Sequence, residues 1–265
     1  LIKASLSNPA IFSPFEESLD DYTFPDFFSC PFDYKPDPLS LLATGKLQQH
    51  LQSQQEWEHN FGLSENQEGT VIGKMFGVLV VRTKDNQVGY LSAFSGKLAG
   101  SNHHAGFVPP IFDGMMDGGF LNRGMTELTR MTQEILMLKE KTPDVSREVQ
   151  HLEALRKAHS VSLQNRIFDQ YHFLNQAGEL RSLRIIFEAM HQKNPPAGAG
   201  ECAAPKLLQY AFQQQMQPIA MAEFWWGLSP KSDFWKHKQF YPACREKCEP
   251  ILAYMLAGMK IDKKS

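Results

Sequence analysis

The stretch KMFGVLVVRT (74–83) constrains this chain more than any other. Its apolar residues run almost without interruption instead of alternating. A strand built from it therefore needs cover on both faces, the situation of a central strand between helical layers. Asp85 and Asn86 supply turn residues, and QVGYLSAFSG (87–96) follows with a second apolar and aromatic run. Together they predict a β-hairpin inside an α/β layer rather than a sandwich.

The rest of the chain is read around that hairpin. At 265 residues, 42% hydrophobic and 21% charged, it can bury a sizeable core in one or two domains. Residues 1–40 carry six prolines among many Phe and Asp residues, which predicts an extended arm packed along a neighbouring surface. Spaced leucines in a Gln-rich stretch predict a surface helix over about 43–60. After the hairpin comes a long Gly- and Pro-rich loop (97–120), a first candidate site.

From about 123 to 192 the pattern turns helical. Met125, Leu128, Met131, Ile135 and Leu138 form one stripe and Val145, Val149, Leu152 and Leu155 another, with Thr142-Pro143-Asp144 as the capping signal between them. This predicts an antiparallel helical hairpin, then a break at Gly178 and a third helix over about 179–192. Next come a helix over about 203–216, a buried strand over 219–227, and a helix from Pro242 to about Leu256. The expected fold is α/β, with a discontinuous domain from 41–120 and 195–265 interrupted by a helical insertion at 121–194. The insertion also offers a surface for a homodimer.

A net charge of -2 excludes nucleic-acid binding by a global positive field, so any RNA contact is local. No apolar run reaches the roughly 20 residues that span a bilayer, and LIKASLSNPA lacks a signal-peptide pattern. The expectation is a cytoplasmic protein with no membrane association. The start at Leu1 and the polar tail KIDKKS (260–265) both look cut. The four cysteines, spread over so long a chain, are expected to be reduced.

Three of those cysteines carry the first chemical candidate. Cys244 and Cys248 lie four apart on one helical face near a helix start, and Cys202 begins another helix. Helix N-termini favour thiolates, so the three suit a zinc ion, although free cysteines also serve as small buried hydrophobes. Gly198 and Gly200 before a helix permit either a phosphate cradle or a tight turn. Lys97, His103 and His104 in the long loop are candidates for acid/base or phosphate contacts, or for loop stabilisation. Trp225, Trp226, Lys231, Trp235, Lys236, His237 and Lys238 interleave aromatic and basic residues, the combination that stacks bases and neutralises phosphates. The alternative there is core tryptophans beside a solvated loop.

Hairpin, helix with a ligand at its start, strand, and helix opening with Pro and Cys: that order resembles the layered core of zinc nucleoside deaminases. The resemblance implies a metal ligand at Cys202 and others at Cys244 and Cys248. Such enzymes carry H-x-E, or Cys in place of His, and P-C-x-x-C. Here Ala204 stands where the glutamate belongs, and Cys244 and Cys248 are one residue too far apart, which implies a degenerate, non-catalytic version.

PPAGAGECAAPKLLQYAF (195–212), AEFWWGLSPKS (222–232) and FYPACREKCEPILAYML (240–256) resemble the region upstream of the catalytic domain in large bacterial RluA-type RNA pseudouridine synthases. The resemblance reaches less sharply over SGKLAGSNHHAGFVPPIFD (95–113). It implies a parent that isomerises uridine to pseudouridine in ribosomal or transfer RNA without a cofactor, with this chain as an RNA-recognition or scaffolding region attached in cis to the catalytic domain. The His-Arg-Leu-Asp motif that supplies the family's aspartate is absent; the nearest string, Leu19-Asp20, lacks its flanking residues. A metal-dependent deaminase-like enzyme and a purely structural dimerisation module are the other two classes the sequence admits.

Overall fold

The computed structural model describes residues 11–32, 35–65, 67–114, 119–141, 147–190 and 194–262. In chain order its elements are β1 (Ser13–Pro14), α1 (Pro38–Ser53), β2 (Lys74–Arg82), β3 (Val88–Phe94), α2 (Phe120–Lys141) and α3 (Arg147–Phe168). They continue with β4 (His172–Leu174), β5 (Leu180–Ser182), α4 (Leu183–Ala189), α5 (Ala203–Gln213), β6 (Gln217–Trp226) and α6 (Arg245–Met255). Helix and sheet are mixed, as expected, and the strand pairings are antiparallel.

β2 and β3 form the hairpin, in register from Phe76 opposite Phe94 to Arg82 opposite Val88, and Asn86 takes the left-handed turn conformation (φ 62). β6 pairs with the other edge of β2 and β1 with β3, giving the order β1-β3-β2-β6. The central strand is covered on both faces. Phe76, Val78 and Val80 pack with Leu39, Ala43, Leu47 and Leu51 of α1. Leu79 and Val81 pack with Ala203, Ala204, Leu207 and Leu208 of α5, behind which α6 and α4 complete the layer. Gly77 lets α5 come close, since a Cβ there would lie 3.0 Å from the Ala203 Cβ.

Several elements differ from the sequence reading. The first helix begins at Pro38, capped by Asp37 Oδ1 accepting from Leu39 N at 2.9 Å, and ends at Ser53; it buries a full face on the sheet instead of lying on the surface. Its leucine spacing marked the buried face, while the Gln-rich outer face masked how much it covers. The described part of the arm packs on the domain, with Phe15 against Tyr90 and Phe28 hydrogen-bonded to Lys260 and Asp262; residues 1–10 lie outside the described residues. In place of a third helix over 179–192 there is a small β4–β5 hairpin around Gly178 (φ 80), then the short α4. Phe168, Tyr171, Phe173, Leu183, Ile186 and Phe187 enter the main core, and that burial outweighs local helix propensity. α5 stops at Gln213 because Gln215 adopts φ 56, and β6 accepts Pro218 on the sheet edge beside a bulge.

α2 and α3 form an antiparallel hairpin, with Gly124 against Leu163, Thr132 bonded to Arg156 and Lys139 paired with Glu153. Leu128, Ile135 and Val149 are buried in the seam, whereas Met125 and Leu155, expected there, are exposed. The seam follows a coiled-coil spacing in which Gly124, not Met125, admits the partner helix. The Thr142-Pro143-Asp144 cap and Val145 lie outside the described residues. No helix among the described residues is long and apolar enough to cross a membrane.

Candidate metal centre

Two glycines turn the chain into α5. Gly198 (φ 75) and Gly200 (φ 92) take conformations that other residues rarely adopt, and a Cβ on Gly200 would collide with Tyr171 and Phe173. Cys202 follows as the α5 N-cap, and its side chain makes no capping bond. The first amides of α5 are taken by other groups: Ala203 N donates to Ser95 Oγ and Ala204 N to Glu223 Oε1, both at 3.2 Å. Lys206 Nζ donates to Phe94 O and Gly96 O, which ties the same turn to the end of β3.

Beyond β6 the chain doubles back along the strand, Tyr241 N donating to Glu223 O, and Ala243 N donates to Pro31 O of the arm at 2.8 Å. Cys244 is then the N-cap of α6, again with no capping bond from its side chain, and Cys248 sits buried in the first turn. Two helix starts on neighbouring segments thus aim thiols at one point. Cys202, Cys244 and Cys248 place their sulfurs within 4.8 Å of one another, with Cys244 Sγ and Cys248 Sγ 3.4 Å apart.

The donor set fits a zinc ion. Tetrahedral thiolates at about 2.3 Å from zinc lie roughly 3.8 Å apart, between the observed contact and the outer limit of the cluster. The electrostatics agree. Contacts with Cys202 and Cys248 pull the Cys244 thiol down, the contact with Cys244 and burial hold Cys202 up, and contacts with both partners and burial hold Cys248 up. A helix N-terminus of this kind favours the thiolate that a metal ligand needs.

Glu223 is the residue that sequence reasoning missed. It lies on β6 between apolar neighbours, its side chain directed to the α5–α6 side of the sheet, and it is 7% exposed. Burial and the nearby Cys244 push its carboxyl up to about 7. The signal was present in AEFWWG (222–227), a lone acid in an apolar strand. Glu223 and the half-buried Cys30 also line a cleft of about 20 Å³, room for one water.

The aromatic and basic candidates divide. Trp226 is 1% exposed, packed on Phe224 with the His237 ring 4.5 Å away and Lys238 Nζ above it; His237 Nδ1 accepts from Gly227 N, and burial lowers its pKa. Trp225 and Trp235 stack on each other at 4.9 Å. Lys231, Lys236, Lys238 and Phe234 remain exposed in the same loop. The two histidines diverge: His103 bonds Asp113 at 3.0 Å on the surface, while His104 Nε2 donates to Leu98 O and the ring packs on Trp57 and Phe94. As Leu98 O is an acceptor, His104 Nε2 carries the proton. Lys97 is exposed beside them. Set against known proteins, the chain matches no family model, no curated protein and no solved structure.

Proposed function

We propose that this chain is a metal-stapled scaffolding domain in which Cys202, Cys244 and Cys248 hold one zinc ion that locks the starts of α5 and α6 together. The observation that carries this reading is the convergence of three sulfurs from two helix N-termini within 4.8 Å. The order of β2–β3, α5, β6 and α6 supports a deaminase-like layered core. A structural role for the metal is favoured because Ala204 offers no proton-relaying side chain and the cleft at Glu223 is far too small for a heterocyclic ring. When bound, the ion supplies a cross-link between the starts of α5 and α6. Elemental analysis of the purified protein is expected to find one zinc per chain, lost in the Cys202→Ser and Cys248→Ser variants. A metal content near zero in protein prepared without chelator removes the reading.

A second role is favoured by the exposed loop carrying Lys231, Phe234, Lys236 and Lys238. In this reading the scaffold presents the loop to structured RNA and works beside an RluA-type pseudouridine synthase domain, whose upstream region segments 195–212 and 240–256 resemble. Because Trp225 and Trp235 stack on each other, the contact is mainly electrostatic. Replacing the three lysines by alanine is expected to weaken RNA binding and to lower the slope of log affinity against log salt by about one per lost phosphate contact. Binding that is absent, or indifferent to salt and to these substitutions, rules the loop out.

A further inference from the structure

Three thiolates leave a tetrahedral ion one donor short, and the fourth donor decides whether the site is closed or open to solvent. Among the described residues, two groups that could supply it stand beside the cluster. Cys30 is half-buried on the arm, next to Pro31, whose carbonyl accepts from Ala243 immediately before Cys244. Glu223 lies below both helix starts, bonded through one carboxylate oxygen to the amide of Ala204, two residues from Cys202. Its Cγ passes close to Gly77, where a Cβ would come within 3.4 Å, so the side chain has a narrow course between β2 and α5.

A carboxyl in this place is costly to fold. It is more than nine-tenths buried, and among the described residues no cation pairs with it. Its one bond among the described residues, at 3.2 Å, is a modest return for desolvation. A divalent ion held by the neighbouring thiolates would remove that cost. Cys30 carries no comparable penalty, because a thiol is content in an apolar setting.

We infer that Glu223 is the fourth donor, making the centre a closed three-thiolate, one-carboxylate site. The inference rests on the zinc reading above and adds the identity of the last ligand. The carboxylate is not among the atoms of the 4.8 Å cluster, so ligation includes a turn of the Glu223 side chain toward the sulfurs. The charge balance is workable: three thiolates and one carboxylate meet a divalent cation and the positive ends of two helices.

The test uses the whole chain loaded with cobalt(II) in place of zinc, followed by X-ray absorption and visible spectroscopy. Three sulfurs and one oxygen are expected, with a spectrum that added azide does not change. In Glu223→Gln the ion is expected to bind roughly 100-fold more weakly, since loss of outer partners alone costs 10 to 100-fold, and azide then shifts the spectrum. Cys30→Ser is expected to behave like the parent chain. Four sulfurs, or an azide-sensitive spectrum in the unsubstituted protein, overturns the assignment of Glu223 while leaving the three-cysteine centre in place; this readout needs no variant to fold. Failure to take up cobalt at all overturns both.

Discussion

At the scale of single residues, the core contains two ionisable groups among the described residues that an apolar fold would not choose, Glu223 and Lys206, and both are tied to the start of α5 or the strand end beside it. Lys206 is the second. It is 4% exposed, bonded to two backbone carbonyls, and no carboxylate among the described residues pairs with it; burial lowers its amine to about 8 from 10.5. Below about pH 8 the amine is charged in both folded and unfolded chains, and folding carries the full cost of burying it. Between about 8 and 10.5 the folded state releases its proton first, so the unfolded state binds more protons and stability rises with pH. The rise is on the order of 3 kcal/mol when complete. Buried thiols and Tyr171, whose pKa values are raised, oppose this rise in the same window, so the readout is a difference: from pH 7.5 to pH 10 the urea-unfolding free energy of the parent chain is expected to change more favourably than that of Lys206→Met, whose other ionisable groups are the same. Equal slopes in the two proteins would mean that Lys206 reaches water.

At the scale of elements, what could be read from sequence depended on whether a segment's fate is decided locally. The run 74–83 announced a doubly covered strand because its apolar residues occupy both faces, and Asn86 announced the turn because few other residues tolerate its backbone angle. The helices of the hairpin were legible from their period. The stretch from Tyr171 to Ala189 was not: His172–Leu174 and Leu180–Ser182 become strands through pairing with each other and burial of Phe173 under α5 and α6, interactions with no counterpart in a local window. The metal site divides in the same way. Cys202, Cys244 and Cys248 stood out because thiols at helix starts have a recognisable chemistry. Glu223 and Lys206 did not, because each is a single charge inside an apolar element, and only the meeting of α5 with β6 shows what faces them.

At the scale of the whole molecule, α2 and α3 among the described residues pack mainly on each other, so the core is expected to stand without their outer halves. Replacing residues 128–159 by a short Gly-Ser turn is expected to leave the thermal midpoint of the remaining protein within a few degrees and its metal content intact. Both are checked by calorimetry and elemental analysis, and collapse of the fold would show that the hairpin is part of the core. The placement of this hairpin also bears on how the chain is made. β2 is made before the hairpin, yet its partner β6 and its cover α5 lie beyond it. A strand apolar on both sides therefore waits, bare along one edge and one face, until the ribosome has passed Trp226. Growth at low temperature or with added holdase chaperones is the condition under which that waiting strand is least apt to find another copy of itself.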